Sequence, residues 1–447
     1  MASLGTTLAG NFFLGGCSGQ GRARPNVVLI VIDTLRADHV GTLGYSRATT
    51  PNIDALARQS IVFENAVAAA PWTLPSIATI LTSQYPSVLG IRDQPVPMDG
   101  RFPLLSEVLK QEGYTTCGIV SHSLLSKTLG FGKGFEKYDE HNIAGRGGVS
   151  SPSVTNKAIS FLGENPKAPF FLFLHYFDPH YNYLFHPDYD YDPAYDGVIK
   201  SGHSIRDLWE IRDLLSDSDL RHLVALYDSE INYTDEHVGM LLEELKTRGL
   251  FDNSIIVIVA DHGEEFMERG WIGHCVSLHQ ELIHVPLIIK LPESIPHRVS
   301  TPVGLIDIVP TLCKTLGVNV PNGADGTAVD LGSPGSMPVT PQFTETFNPQ
   351  IHQGGKVAPI AFRGMVFGQI KLIYDQTTKT MRMFDLSQDR QERHNIADMD
   401  TRPELAHMLG QWLAYINTKR KAGPAPDFDK LFTPKQLEQL KSLGYLQ

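Results

Sequence analysis

Three apolar runs in this chain end in residues that bind metals or move protons. Val27–Ile32 ends at Asp33, in IVIDTLRADH. Pro169–His175 ends at His175 and is followed by Asp178 and His180. Ser254–Ala260 ends at Asp261 and His262. One aspartate closing one apolar run would read as the cap of the next helix. Three such ends in one chain point to a shared metal or acid–base site, because carboxylate and imidazole ligate divalent ions and exchange protons.

The segment APWTLPSIATILTS adds a hydroxyl. Proline belongs in the first turn of a helix, so Pro75 predicts a helix over 76–83 with Thr73 at or beside its start. Free backbone N–H groups and the helix dipole favour an anion there, either an alkoxide or an ester oxyanion. Taken alone, Thr73 would be an ordinary cap.

These side chains need elements to hold them. The apolar runs suit strands buried on both faces, and Thr115–Val120 and Val285–Lys290 add two more. Helices are predicted after Thr50-Pro51, at Leu104–Gln111, from about Asp219 to Arg248, and at Ile306–Leu316. This alternation predicts an α/β fold: a mainly parallel sheet sandwiched by helices. Ligands bind such sheets beyond the carboxyl ends of the strands. Pro321–Pro341 is rich in Gly, Pro and Ser and marks a boundary. Beyond it, Ala361–Val366, Gln369–Tyr374 and Thr380–Phe384 predict a small antiparallel sheet, followed by a helix over Pro403–Lys419. The expected organisation is a tail over 1–24, a catalytic domain over 25–335 and a C-terminal subdomain over 336–447.

Composition narrows the function classes. Of 447 residues, 42% are hydrophobic and 19% charged, which excludes a mostly disordered chain. Lys+Arg 38 against Asp+Glu 49 gives a net charge of −11 and no basic field, so nucleic acid is not the expected partner. No apolar run reaches the ~18 residues of a membrane span. GFGKGF does not open a helix after a strand, and no G-x-S-x-G occurs, which argues against dinucleotide binding and an ordinary serine hydrolase.

The cysteines Cys17, Cys117, Cys275 and Cys313 match no zinc spacing. Cys117 and Cys313 lie in apolar stretches and are expected to be buried. Residues 1–21 carry no charge, and Leu14-Gly15-Gly16-Cys17 resembles a bacterial lipoprotein cleavage box, although no Lys or Arg precedes it. The expectation is an exported protein, periplasmic or in the outer membrane, anchored through a lipidated Cys17. An ordinary tail on a cytoplasmic protein is the alternative.

Taken together, the segments resemble the sulfatases and their relatives in the alkaline phosphatase superfamily. The resemblance rests on VVLIVIDTLRADHVGTLGY, TTPNIDALARQSIVFENAVA, TLPSIATILTS, the FDPH turn, ADHGEEF, HVPLIIKLP and GLIDIVPTL, and continues to the closing LKSLGYL. It implies one divalent metal ion held by Asp33, Asp261 and His262, with Thr73 at the nucleophile position. It also implies that His180 and His274 contact the transferred group or the leaving oxygen. Three further residues are weaker site candidates: Arg36 as a substrate contact or a salt-bridged turn, His122 as a pocket residue, and Asp178 as the partner that orients His180.

The chain departs from the sulfatase pattern C/S-x-P-x-R, reading Thr73-Leu74-Pro75-Ser76-Ile77. Threonine cannot become the formylglycine aldehyde, and Ile77 replaces the arginine. A threonine sulfate ester cannot collapse to an aldehyde, whereas a threonine phosphate can be resolved by a second in-line attack. In this respect the pattern resembles threonine-nucleophile phosphoethanolamine and phosphoglycerol transferases, and phosphodiesterases. An imidazole ligand favours manganese or zinc over calcium or magnesium. A second ion, held by His180 and His274, stays open. The expected function is cleavage of a phosphoester or phosphodiester through Thr73. The alternatives are a sulfatase working without formylglycine and a non-catalytic, sulfatase-like binding protein.

Overall fold

The computed structural model describes residues 23–438, less 93–94, 99, 142–149, 294, 333–336, 354–355, 401, 421–430, 432 and 436. Cys17 and the lipoprotein-like box lie outside the described residues.

The first strands are β1 (Asn26–Ile32), β2 (Ile61–Val67), β3 (Thr115–Ile119), β4 (Lys137–Asp139), β5 (Phe170–Tyr176) and β6 (Ser254–Ala260). Then come β7 (Glu265–Phe266), β8 (Ile272–Gly273), β9 (His284–Lys290), β10 (His297–Val299) and β11 (Val303–Gly304). The last are β12 (Gln342–Gln353), β13 (Lys356–Phe367), β14 (Ile370–Asp375) and β15 (Thr380–Asp385).

The main sheet runs β10-β2-β9-β6-β1-β5-β3-β4, with β11 also paired to β2. It is mainly parallel. The exception is β9, which is antiparallel to both β2 and β6. Every residue of β1, β5 and β6 is buried. Helices on both faces require this, and it explains why these strands read as unbroken apolar runs. One helix group joins Asp217–Thr247 with Ser151–Gly163 and Pro51–Ala57, and another joins Thr73–Thr82 with Ile308–Leu316.

Several element boundaries differ from those expected. The helix that carries Thr73 starts at that residue, three before the expected Ser76, and all ten of its residues are buried. It ends at Ser83, whose φ of 56° is left-handed. The long helix starts at Asp217 rather than Asp219, because Ser216 caps it and Asp219 returns the bond to Ser216. Strand β2 was not predicted: its sequence IVFENAV carries two polar residues that interrupt the apolar run.

The C-terminal sheet has four antiparallel strands, β12-β13-β14-β15, not three. The missed strand, β12, ties this sheet to the first one. Glu345 N–H donates to Ala69 O at 2.9 Å, and Thr346 Oγ1 donates to Cys275 O at 2.9 Å. The Glu345 carboxylate takes Ser87 N–H at 2.6 Å and pairs with Arg363 at 3.2 Å. The terminal helix spans Pro403–Lys419, as predicted. Cys117 and Cys313 are buried. Among the described residues, no helix is long and apolar enough to cross a membrane.

Candidate metal and nucleophile centre

Parallel pairing places three strand ends side by side. Ile32 lies opposite Tyr176 of β5 and Ala260 of β6. Asp33 and Asp261 therefore leave the sheet one residue later on adjacent strands, which lie about 4.8 Å apart. Asp33 N–H continues the ladder to Tyr176 O at 2.9 Å. The next residue, Thr34, has φ 56°, an unusual conformation for a β-branched residue. That turn brings Thr34 N–H to Asp261 Oδ1 at 3.3 Å, where His262 N–H also donates at 2.9 Å. Tyr227 holds the turn by donating to Thr34 O at 2.6 Å.

Asp261 Oδ2 and both oxygens of Asp33 are buried without a hydrogen-bond partner. Such oxygens are costly unless a cation covers them. His262 Nε2 lies 3.5 Å from Asp33 Oδ1 and 3.6 Å from Asp261 Oδ2. Its Nδ1 donates to Gly263 O at 2.9 Å, so in the neutral ring Nε2 offers a lone pair toward the carboxylates. The ligand atoms of Asp33, Asp261 and His262 lie within 4.8 Å of one another. Burial, then the neighbouring Asp261, drives the Asp33 pKa well above its ordinary value. A divalent cation would reverse that effect. The donor set fits such an ion.

Thr73 is fully buried at the first helical position, with Oγ1 3.4 Å from His262 Nε2. Ser76, one turn on, fixes the helix to the end of β6 by donating to Asp261 O at 2.6 Å.

Two histidines complete the centre. The His274 ring lies 4.5 Å from that of His262 and 4.9 Å from that of His180. His180 Nδ1 donates to Tyr181 O at 2.7 Å, and its ring stacks on Phe177. His274 Nδ1 lies 2.8 Å from Glu264 Oε1, and Glu264 Oε2 accepts from the Tyr183 hydroxyl at 3.0 Å. Both rings are oriented through Nδ1, so chemistry at either falls to Nε2. Burial pushes both pKa values well below the ordinary imidazole range.

The remaining candidates fall differently. His122 is buried, takes Leu124 N–H on Nδ1 at 3.0 Å, and lies 5.9 Å from His180, ring to ring. Among the described residues, the second group of clustered ligand atoms is Asp33, His122 and His180. His122 therefore stands where the expected second-ion pair had His274. Arg36 is not placed as a substrate contact. Its guanidinium is buried in bonds to Asp38 at 2.8 Å, Glu268 at 2.6 Å and Glu264 O at 3.0 Å, the salt-bridged turn. Asp178 does not orient His180. Its carboxylate accepts from N–H and O–H groups of Ser150 and Ser151 at the start of the Ser151–Gly163 helix.

Sequence reasoning missed Glu264 and set His175 aside as structural. His175 Nε2 lies 3.5 Å from Asp33 Oδ2. Its position opposite Val31 on β1 is legible only once the register is known. Glu264 carried a signal, two residues after His262, but nothing local tied it to His274.

A family model described as Sulfatase matches residues 25–318. An ulvan-active sulfatase of Formosa agariphila is 26% identical over 340 residues, covering 68% of this chain and 64% of the relative. This chain thus spans less than two thirds of that relative's length. An N-acetylglucosamine-6-O-sulfatase of Bacteroides thetaiotaomicron is 24% identical over 394 residues, covering 68% of this chain and 70% of the relative. The solved structure of a phosphonate monoester hydrolase from Silicibacter pomeroyi superposes with a TM-score of 0.72 at 21% identity, covering 89% of this chain and 96% of that one. With the family model matching well over half of the chain and the fold shared along most of it, this chain belongs to the sulfatase family.

Proposed function

We propose that the protein cleaves a phosphoester or phosphodiester, with Thr73 as the nucleophile. The observation that carries this reading is the Thr73 hydroxyl, buried at a helix start and 3.4 Å from His262 Nε2. In this reading a residue that cannot become formylglycine serves as the nucleophile.

Asp33, Asp261 and His262 would hold a divalent cation, with manganese or zinc favoured by the imidazole ligand. When bound, the ion supplies positive charge that lowers the pKa of a nearby hydroxyl and offsets charge on the ester oxygens. Thr73 Oγ1 bonds to phosphorus in line while the ester P–O bond opposite breaks. The helix start faces the developing negative charge with its free N–H groups. His180 has its Nδ1–H committed to the Tyr181 carbonyl, so its Nε2 is the acceptor for the proton that Thr73 gives up. Burial raises the Glu264 pKa to about 8, so near neutral pH Glu264 holds a proton in its hydrogen bond to His274 Nδ1 and passes it over only as His274 gives its Nε2 hydrogen to the leaving oxygen. His274 then carries its hydrogen on Nε2, suited to protonating the leaving oxygen. Water attacks phosphorus in a second step and releases Thr73.

Paired turnover of an aryl phosphodiester and an aryl sulfate by the manganese-loaded protein tests this. Preference for the phosphodiester supports the threonine phospho-enzyme. Preference for the sulfate overturns it and favours the second reading, sulfate ester hydrolysis without formylglycine, in line with the names of the sulfatase relatives. Anchoring through a lipidated Cys17 belongs to this proposal, and the intact mass of the mature amino terminus checks it.

A further inference from the structure

His175 is the last residue but one of β5 and is fully buried. It lies opposite Val31 of β1, two residues before Asp33. Residues two apart on a strand share a face, so the ring of His175 falls on the Asp33 side of the sheet.

A buried imidazole that serves packing normally has both ring nitrogens in hydrogen bonds. His175 departs from that rule. Its Nδ1 lies 3.4 Å from Ser121 Oγ, whose own hydrogen goes to His175 O at 2.5 Å. Its Nε2 is buried without a hydrogen-bond partner, and so is Asp33 Oδ2. These two atoms face one another at 3.5 Å. The other oxygen, Asp33 Oδ1, lies 3.5 Å from His262 Nε2. One carboxylate thus turns an oxygen to each imidazole.

The hydrogen on the His175 ring has two claimants. Ser121 Oγ can accept it from Nδ1, over a long contact between neutral groups. An ionised Asp33 can only accept, and a hydrogen bond to a carboxylate is roughly twice as strong as a neutral one. With a cation beside it Asp33 is ionised, so the hydrogen belongs on Nε2, and the contact closes toward about 2.8 Å. Without a cation the same pair costs stability, since an imidazole nitrogen and a carboxylate oxygen are both buried unsatisfied. Local costs of this kind are kept at functional sites.

We infer that His175 is a positioning residue of the metal centre, whose Nε2–H holds Asp33 Oδ2 so that Oδ1 stays turned toward the ion. This rests on the reading that Asp33, Asp261 and His262 hold that ion, and it is independent of which ester the protein cleaves.

Manganese titration, followed by the electron paramagnetic resonance of the free ion, tests it without turnover. His175→Leu should weaken manganese binding by about 10–100-fold, as loss of a group behind a ligand does. The metal-free His175→Leu protein should melt no lower than the wild type, because one unsatisfied polar group is gone. His175→Gln sets an amide N–H near the position of Nε2 and should recover most of the affinity. Wild-type affinity in folded His175→Leu overturns the role of His175 alone, and so does His175→Gln binding as weakly as His175→Leu. If His175→Leu melts early without metal, His175→Met repeats the titration. Early melting of both gives the ring a packing role and overturns the inference. A wild-type protein that binds no manganese overturns the reading of the centre and the role of His175 together.

Discussion

Nδ1 of His274 lies 2.8 Å from Oε1 of Glu264, and both side chains are fully buried. The Tyr183 hydroxyl fixes the other carboxyl oxygen. A buried carboxyl behind an imidazole sets the tautomer and orientation of the ring. Glu264→Ala is therefore expected to lower kcat by about 10–100-fold with little change in KM. Glu264→Gln should be impaired about as much, because its amide can orient the ring but has no proton to pass to His274 Nδ1. Steady-state kinetics checks both. A glutamine variant that keeps much of the rate would mean that Glu264 only orients the ring.

Thr73→Ala should lower kcat by about a thousandfold or more, as removal of a nucleophile does. Thr73→Ser keeps a hydroxyl and should retain part of the rate. Near-normal turnover in Thr73→Ala would remove Thr73 from the reaction.

The carboxylates of Asp33 and Asp261 face one another with three oxygens unsatisfied. Chelation should lower the melting temperature, and manganese should restore it, with about 2.7 kcal/mol at a hundredfold excess over Kd. Asp33→Asn removes the repulsion with Asp261. In the absence of metal it is expected to melt no lower than the wild type, and it should lose the response to manganese. A metal-free Asp33→Asn protein that melts far below the wild type would show that this carboxylate serves packing instead.

Asp178→Ala should cost about 1–2 kcal/mol of stability, the loss of a helix cap, with kcat little changed. Urea unfolding and a rate assay separate the two effects. A large fall in kcat at unchanged stability would return Asp178 to the reaction.

Glu230 is buried between Leu184 N–H at 2.7 Å and His186 Nε2 at 3.0 Å, and burial raises its pKa to about 7. In the unfolded chain it ionises near 4.5, while the folded protein keeps the proton. The unfolded state thus binds fewer protons in this window, and stability falls as pH rises from about 4.5 to 7 before levelling off. Glu230→Gln should flatten that slope. Melting temperatures across this range check the difference.

Much of the candidate centre was legible because the residues that would hold an ion follow long apolar strands. A strand buried on both faces writes itself as an unbroken run, and its last residue marks the carboxyl end where such sheets bind ligands. Strand ends singled out Asp33, Asp261 and His262 among the candidates at that level, and Pro75 singled out Thr73. Strands β2 and β12 were not legible, because polar residues break their pattern while pairing across the sheet holds them.

The roles of Arg36, Asp178, His122 and His175 were decided only by tertiary structure. Arg36, Asp178 and His175 lie near site residues in sequence and His122 lies near none, and sequence distance does not tell which way a side chain turns. Register placed His175 against Asp33. The Ser151 helix start drew Asp178 away from His180, because its N–H groups needed an acceptor. Types and spacing of residues decide what chemistry a chain can perform. Which of its groups meet is decided by the folded backbone, since partners such as Glu264 and Tyr183 are 81 residues apart along the chain.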